Sequence, residues 1–139
     1  MIKDIKAVID TNVVINAIIG SSPTSLSVYN AFVDSLFTPV LSPTLQAEIL
    51  NVVSKPHIRK YFRSREIKRF KELIKTDSIL VVPTIKTSLC RDTKDNFILE
   101  TALAANADRI VTNDKDLLVL KYFHNIPIIT PGEFLRLLT

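Results

Sequence analysis

The chain has 139 residues, 47% of them hydrophobic, and a formal net charge of +4 at pH 7. That length fits one domain, residues 1–139, and the single Cys90 and two glycines exclude a disulfide framework and a glycine-rich phosphate loop. No apolar run approaches the ~18 residues of a membrane span and no targeting segment is visible, so we expect a cytoplasmic protein without a membrane partner. The basic net charge mildly favours nucleic acid as a partner.

Strand and helix patterns alternate along the chain. Residues 5–10 read as a first strand; residues 11–20 fit helix or strand, and helix fits better if Asp10 or Thr11 caps it and Gly20 ends it. The patterns then predict a helix over 24–35, a strand over 37–42, helices over 43–54 and 58–76, a strand over 78–83, a helix over 95–106, strands over 109–113 and 126–130, and a closing helix over 131–138. Such alternation indicates an α/β fold with a mostly parallel sheet covered on both faces.

Acidic residues lie where the strands of this sheet would end. Asp10 closes the first strand and Asp114 follows the fourth. In parallel sheets, ligands bind beyond the carboxyl ends of the strands. Helical spacing places Glu48 at the border of an apolar stripe and Asp95 in the first turn of a buried helix face. We therefore expect these four carboxylates to converge.

Converging carboxylates repel one another. At ~4 Å each pair costs on the order of 4 kcal/mol at an effective dielectric of ~20. Mg²⁺ or Mn²⁺ would remove this repulsion, whereas His57 and His124 lack the spacing of a zinc site. Each acid also has an ordinary explanation, as a helix cap, a boundary residue or a turn residue. Those explanations stay open, but together they require four independent coincidences at one pocket.

A basic stretch follows the third predicted helix. Its candidate RNA-binding residues are Lys55, Arg59, Lys60, Arg63, Arg65, Lys68 and Arg69. Phosphate contacts from such a cluster give sequence-independent, salt-sensitive affinity, and Tyr61 and Phe62 could stack on unpaired bases. The alternative is a solvated helix face with Phe62, Phe70 and Leu73 in the core.

Four segments, in order along the chain, resemble the PIN domain family. They are "VIDTNVVINAI", "PTLQAEIL", "RDTKDNFILETALAANADRIVTNDKDLL" and "IPIITPGEFL". In particular, they resemble bacterial and archaeal PIN proteins that are toxin components of toxin–antitoxin systems. The resemblance implies a three-layer, Rossmann-like α/β/α sandwich with a mostly parallel central sheet. It also implies a pocket for one or two Mg²⁺ or Mn²⁺ ions and hydrolysis of RNA phosphodiester bonds.

The resemblance carries over residue by residue. It implies metal-binding and catalytic roles for Asp10, Glu48, Asp95 and Asp114. It implies supporting roles around the ligands for Asn12, Thr112, Asp116 and Asp92. The implied partners are an RNA substrate and a cognate antitoxin, which could cover the basic stretch. Relatives often form homodimers, and the sequence leaves the oligomeric state open.

Other functions remain as alternatives. A housekeeping RNA-processing nuclease would share every motif. A non-catalytic RNA- or protein-binding module is disfavoured because all four acids are present. A phosphatase of the haloacid dehalogenase type also begins with an aspartate after the first strand, but it needs a second acid where this chain has Asn12.

Overall fold

The computed structural model describes residues 4–61 and 63–138, so Phe62 lies outside the described residues. The strands are β1 (Lys6–Ile9), β2 (Thr38–Leu41), β3 (Ile79–Leu80), β4 (Arg109–Val111), β5 (Tyr122–Phe123) and β6 (Ile126–Ile129). The helices are α1 (Thr11–Ile18), α2 (Pro23–Val33), α3 (Pro43–Val53), α4 (Pro56–Arg59), α5 (Ser64–Thr76), α6 (Thr93–Ala105), α7 (Lys115–Leu118) and α8 (Pro131–Leu138). No helix in these ranges is long and apolar enough to cross a membrane.

The strands form one sheet in the order β3-β2-β1-β4-β6-β5. Every pairing is parallel except that of β5 with β6. The chain runs outward from β1 through β2 to β3 and then returns to the other side of β1 as β4. Because the strand order reverses there, a crevice opens beyond the carboxyl ends of β1 and β4. The predicted α/β fold with a mostly parallel sheet is confirmed.

The core packs helices onto the buried central strands. Ala7 and Val8 of β1 and Ile110 of β4 are fully buried, as expected for strands covered on both faces. Aromatic side chains pack on one side of the sheet, where Phe37 lies edge-on to Phe134 at a centroid distance of 5.0 Å. This rigid packing fixes the strand ends that carry the acids.

The structure corrects several predicted boundaries. The single helix over 58–76 is two helices, because α4 ends at Arg59 and α5 begins at Ser64. The strand over 78–83 shortens to the exposed pair Ile79–Leu80 at the sheet edge. The patterns also missed α7 and β5. The β5–β6 hairpin turns through His124 and Asn125, both with positive φ, a geometry that favours a two-residue turn.

Candidate active site

Asp10 is one of the two buried acids of the site. It caps α1 directly after β1 and is only 7% exposed. Its Oδ1 accepts a hydrogen bond from the Asn12 backbone N–H at 3.2 Å, and its Oδ2 accepts one from the Thr112 hydroxyl at 2.7 Å. Burial raises the pKa of Asp10, while the Thr112 hydrogen bond opposes that shift. Asp10 is thus a helix cap, and the same carboxylate is also anchored to the segment after β4.

Thr112 joins the two acidic strand ends. Its side chain is fully buried after β4. Besides donating to Asp10, its hydroxyl oxygen accepts a hydrogen bond from the Asp114 backbone N–H at 2.9 Å. One hydroxyl therefore fixes the position of Asp10 relative to Asp114.

Asp95 and Asp114 form the most strongly interacting pair of acids. Asp95 lies in the first turn of α6 and is 5% exposed, while half-buried Asp114 caps α7. Burial, the charge of Asp114 and a hydrogen bond between the two side chains together raise the pKa of Asp95 to about 7, and burial is the largest of these causes. Asp95 therefore keeps its proton over part of the physiological pH range.

A third acid lies close to this pair. One carboxylate oxygen each of Asp95, Asp114 and Asp116 lies within 4.8 Å of the other two. Asp116, predicted to support the ligands, therefore belongs to the three-acid group found among the described residues, and Asp10 and Glu48 do not. Asp116 is exposed, and its carboxylate lies 3.8 Å from the Arg91 guanidinium.

The predicted acids line one cavity of about 170 Å³, which we call the acidic cavity. Its walls are Asp10, Thr11, Asn12, Glu48, Asp92, Lys94, Asp95, Ile98 and Asp114. Half-buried Glu48 reaches it from α3, and its Oε1 lies 3.6 Å from the Lys94 ammonium. Exposed Asp92 caps α6 by accepting a hydrogen bond from the Lys94 backbone N–H. The four predicted ligands thus face one space.

The donor set fits a hard divalent cation. All the ligand candidates are carboxylates, which suit Mg²⁺ or Mn²⁺ better than a softer metal. Burial is the largest cause of the raised pKa of Asp95, and the neighbouring charges of Asp114, Asp92 and Asp10 add to it; a cation would relieve that repulsion. His57 and His124 are exposed and do not line the cavity.

Two residues of this region were missed by the sequence patterns. Lys94 lines the acidic cavity. The sequence could have pointed to it, because it is a basic residue at the start of a helix, where the helix dipole disfavours a cation. Asn96 is buried, accepts a hydrogen bond from the Cys90 N–H at 2.9 Å and donates one to the Cys90 carbonyl at 3.0 Å. It therefore fastens the segment before Asp92 onto α6.

The basic stretch lies on α4, α5 and the residues around them. Its seven predicted RNA-binding side chains are exposed, and none of these described side chains lines the acidic cavity. The inner side of α5 buries Ile67, Phe70 and Ile74, which confirms the core position of Phe70. Exposed Tyr61 lies under the Lys60 ammonium, 5.4 Å from the ring centroid.

Comparison with known proteins places this chain in a family. The model of the PIN domain matches residues 6–116. The uncharacterized protein MJ1680 of Methanocaldococcus jannaschii is 30% identical over 141 aligned positions, covering 95% of this chain and 90% of the relative. A chain in the crystal structure of VapBC2 from Rickettsia felis bound to a DNA fragment from their promoter has a TM-score of 0.53 and 17% identity, over 91% of this chain and 98% of that one, which shows a shared fold. By the family match across most of its length, the chain belongs to the PIN domain family.

Proposed function

We propose that this PIN protein is a metal-dependent endoribonuclease that hydrolyses RNA phosphodiester bonds. The observation that carries the proposal is the acidic cavity at the point where the strand order reverses, lined by carboxylates from two strand ends and two helices. Carboxylates in this number suit a divalent cation that acts on a phosphate.

One or two Mg²⁺ or Mn²⁺ ions would be held by Asp10, Glu48, Asp95 and Asp114, with Asp116 at the margin. When bound, such an ion supplies charge stabilisation to the phosphate and activates a water for attack. Asp10 is presented in one orientation because Thr112 and the Asn12 N–H fix both of its oxygens. Asp95 serves as a ligand only after losing the proton that it retains up to about pH 7.

The basic stretch would supply affinity for RNA. Its exposed lysines and arginines can contact phosphates without reading sequence, and exposed Tyr61 can stack on an unpaired base. The net negative charge of the acidic cavity repels a polyanion, so most of the attraction has to come from elsewhere on the surface.

We further propose that the protein is the toxin of a toxin–antitoxin pair. This role is supported by the sequence resemblance and by the shared fold with a chain of the VapBC2 complex. A cognate antitoxin would then be the protein partner. Induced expression should arrest bacterial growth, and Asp10→Asn should abolish the arrest; a housekeeping nuclease would not arrest growth.

The nuclease itself is tested by incubating single-stranded RNA with the protein and Mn²⁺. We expect cleavage that leaves a 5′-phosphate and a 3′-hydroxyl, and we expect EDTA and Asp10→Asn each to abolish it. Asp34→Asn is the matched control, because Asp34 is exposed after α2 and does not line the cavity. RNA binding without cleavage by a folded wild type would instead support a binding module.

A further inference from the structure

Lys94 stands out in the wall of the acidic cavity by its charge. It is the one basic residue among those that line the cavity in the described part of the chain, against five carboxylates. Its ammonium lies 3.6 Å from Glu48 Oε1, so the pair links α6 to α3 across the cavity. A nuclease must bring a phosphate to this negative space, and Lys94 carries the charge that would attract it.

The pair with Glu48 is loose. Charge-assisted hydrogen bonds are usually about 2.7–2.9 Å long, so 3.6 Å is an ion pair without a tight hydrogen bond. The Lys94 side chain is 72% exposed, and ion pairs this exposed contribute little to stability. Lys94 can therefore leave Glu48 at small cost and reach another anion nearby.

Helix formation does not explain a lysine at this position. Lys94 follows the cap Asp92 and the first helical residue Thr93, at the positive end of the α6 dipole. A cation is disfavoured there, whereas the neighbouring acids are favoured. A residue that opposes the local rule in a functional cavity is expected to serve the function.

We propose that Lys94 binds a phosphate of the RNA and exchanges partners to do so. Without a cation in the acidic cavity, Lys94 neutralises Glu48; if Glu48 held a divalent cation, the Lys94 ammonium would be free to contact a phosphate oxygen of the RNA beside the cavity. This inference rests on the proposed function, because it names a residue that holds the substrate of that site. A lysine suits the role, since its ammonium is a mobile point charge on a flexible stem.

The exchange predicts opposite effects on two ligands. Lys94→Gln removes a competitor for Glu48, so Mn²⁺ measured by calorimetry without RNA should bind about two- to fivefold tighter. The same variant should lose about tenfold or more in kcat/KM on single-stranded RNA at saturating Mn²⁺, mainly through KM. Its salt dependence of RNA binding should be shallower by about 0.7 on a log–log plot, because one phosphate contact is lost.

Controls separate this role from structure and from overall charge. Lys94→Arg should restore most of the RNA cleavage. Lys86→Gln removes an equal charge from an exposed residue that does not line the cavity, and it should leave Mn²⁺ affinity unchanged. If Lys94→Gln weakens Mn²⁺ and RNA binding together, or cleaves RNA as well as the wild type, the inference is overturned.

Failure of the proposed function would look different. A wild type and Lys86→Gln that cleave no RNA would count against the nuclease itself. Lys94 would then be judged by Mn²⁺ alone: tighter binding by Lys94→Gln supports the exchange with Glu48, and unchanged or weaker binding overturns it.

Discussion

The acidic cavity and the basic stretch are built in opposite ways. The cavity gathers residues far apart in the sequence, such as Asp10 and Thr112, which are 102 positions apart and joined by a buried hydrogen bond of 2.7 Å. The basic stretch is nearly continuous in sequence and its seven predicted RNA-binding side chains are exposed, and its Arg63–Glu66 pair is a loose 3.8 Å. Chemistry on a phosphate needs fixed groups, whereas attraction of a polyanion needs only charge. Substitutions in the two regions should therefore differ in size and in kind.

After Asp10→Asn, the largest effect is expected from Asp95→Asn. The amide keeps the shape of the side chain but removes a buried charge that the cation would need. Losing an outer partner of a metal site commonly costs 10–100-fold, so losing a ligand should lower RNA cleavage by more than about 100-fold. The measurement is kcat/KM with Mn²⁺, beside Asp77→Asn as an exposed control after α5. Near-normal cleavage by Asp95→Asn would remove Asp95 from the ligand set.

Thr112→Val should have the next largest effect. It removes the hydroxyl that positions Asp10 and Asp114 but leaves every carboxylate of the cavity in place. The change leaves Asp10 Oδ2 and the Asp114 N–H without the hydroxyl that joins them. We expect a stability loss of about 1–3 kcal/mol and a 10–100-fold loss of cleavage.

Thr101→Val is the matched control for Thr112→Val. Thr101 is also fully buried, but its hydroxyl donates to the Phe97 carbonyl within α6. Urea unfolding and cleavage should show a stability change without a comparable loss of activity. Equal losses of cleavage in the two variants would mean that Thr112 acts only through general stability.

The sequence patterns predicted the residues that line the acidic cavity better than the residues beside it. The positions of Asp10 and Asp114 are predicted by the ends of the strands that precede them. Those of Glu48 and Asp95 are predicted by the spacing of apolar residues on their helices, which is a regular pattern. Asp116 joins the three-acid group through α7, a four-residue helix too short to show a period. The roles of these residues in catalysis stay predictions.

The misplaced elements lie away from the strongly packed core. The apolar run over 78–83 predicts a strand, yet β3 covers only Ile79–Leu80, and Val82 is 71% exposed. Apolar composition does not by itself determine burial, because tertiary packing decides which strands are covered. The split between α4 and α5 likewise has no glycine or proline at residues 60–63 to announce it.

A moderate effect is expected in the basic stretch. Arg65→Gln with Lys68→Gln removes two exposed charges from α5. We expect about tenfold weaker RNA binding at low salt and a salt slope shallower by about 1.4, with kcat unchanged. The control pair Lys86→Gln with Lys121→Gln removes equal charge elsewhere. If both double substitutions weaken RNA binding equally, the affinity depends on net charge and not on this surface.

The smallest effect concerns the metal-free protein and its pH dependence. Burial and Asp114 raise the pKa of Asp95 from 3.8 to about 7, so between these values the folded state binds more protons than the unfolded state. Stability should therefore fall as pH rises from about 4 to about 7, and little further above that. In EDTA, we expect the Tm of the wild type to be several degrees lower at pH 8 than at pH 5.

Asp95→Asn should show a smaller drop in Tm, because one of the crowded acids no longer titrates. Mn²⁺ should raise the wild-type Tm at pH 8. The basic stretch provides the contrast, because Arg65→Gln with Lys68→Gln should leave this pH dependence as it is in the wild type. A drop that persists undiminished in Asp95→Asn would assign the proton uptake to another group and weaken the account of crowding in the acidic cavity.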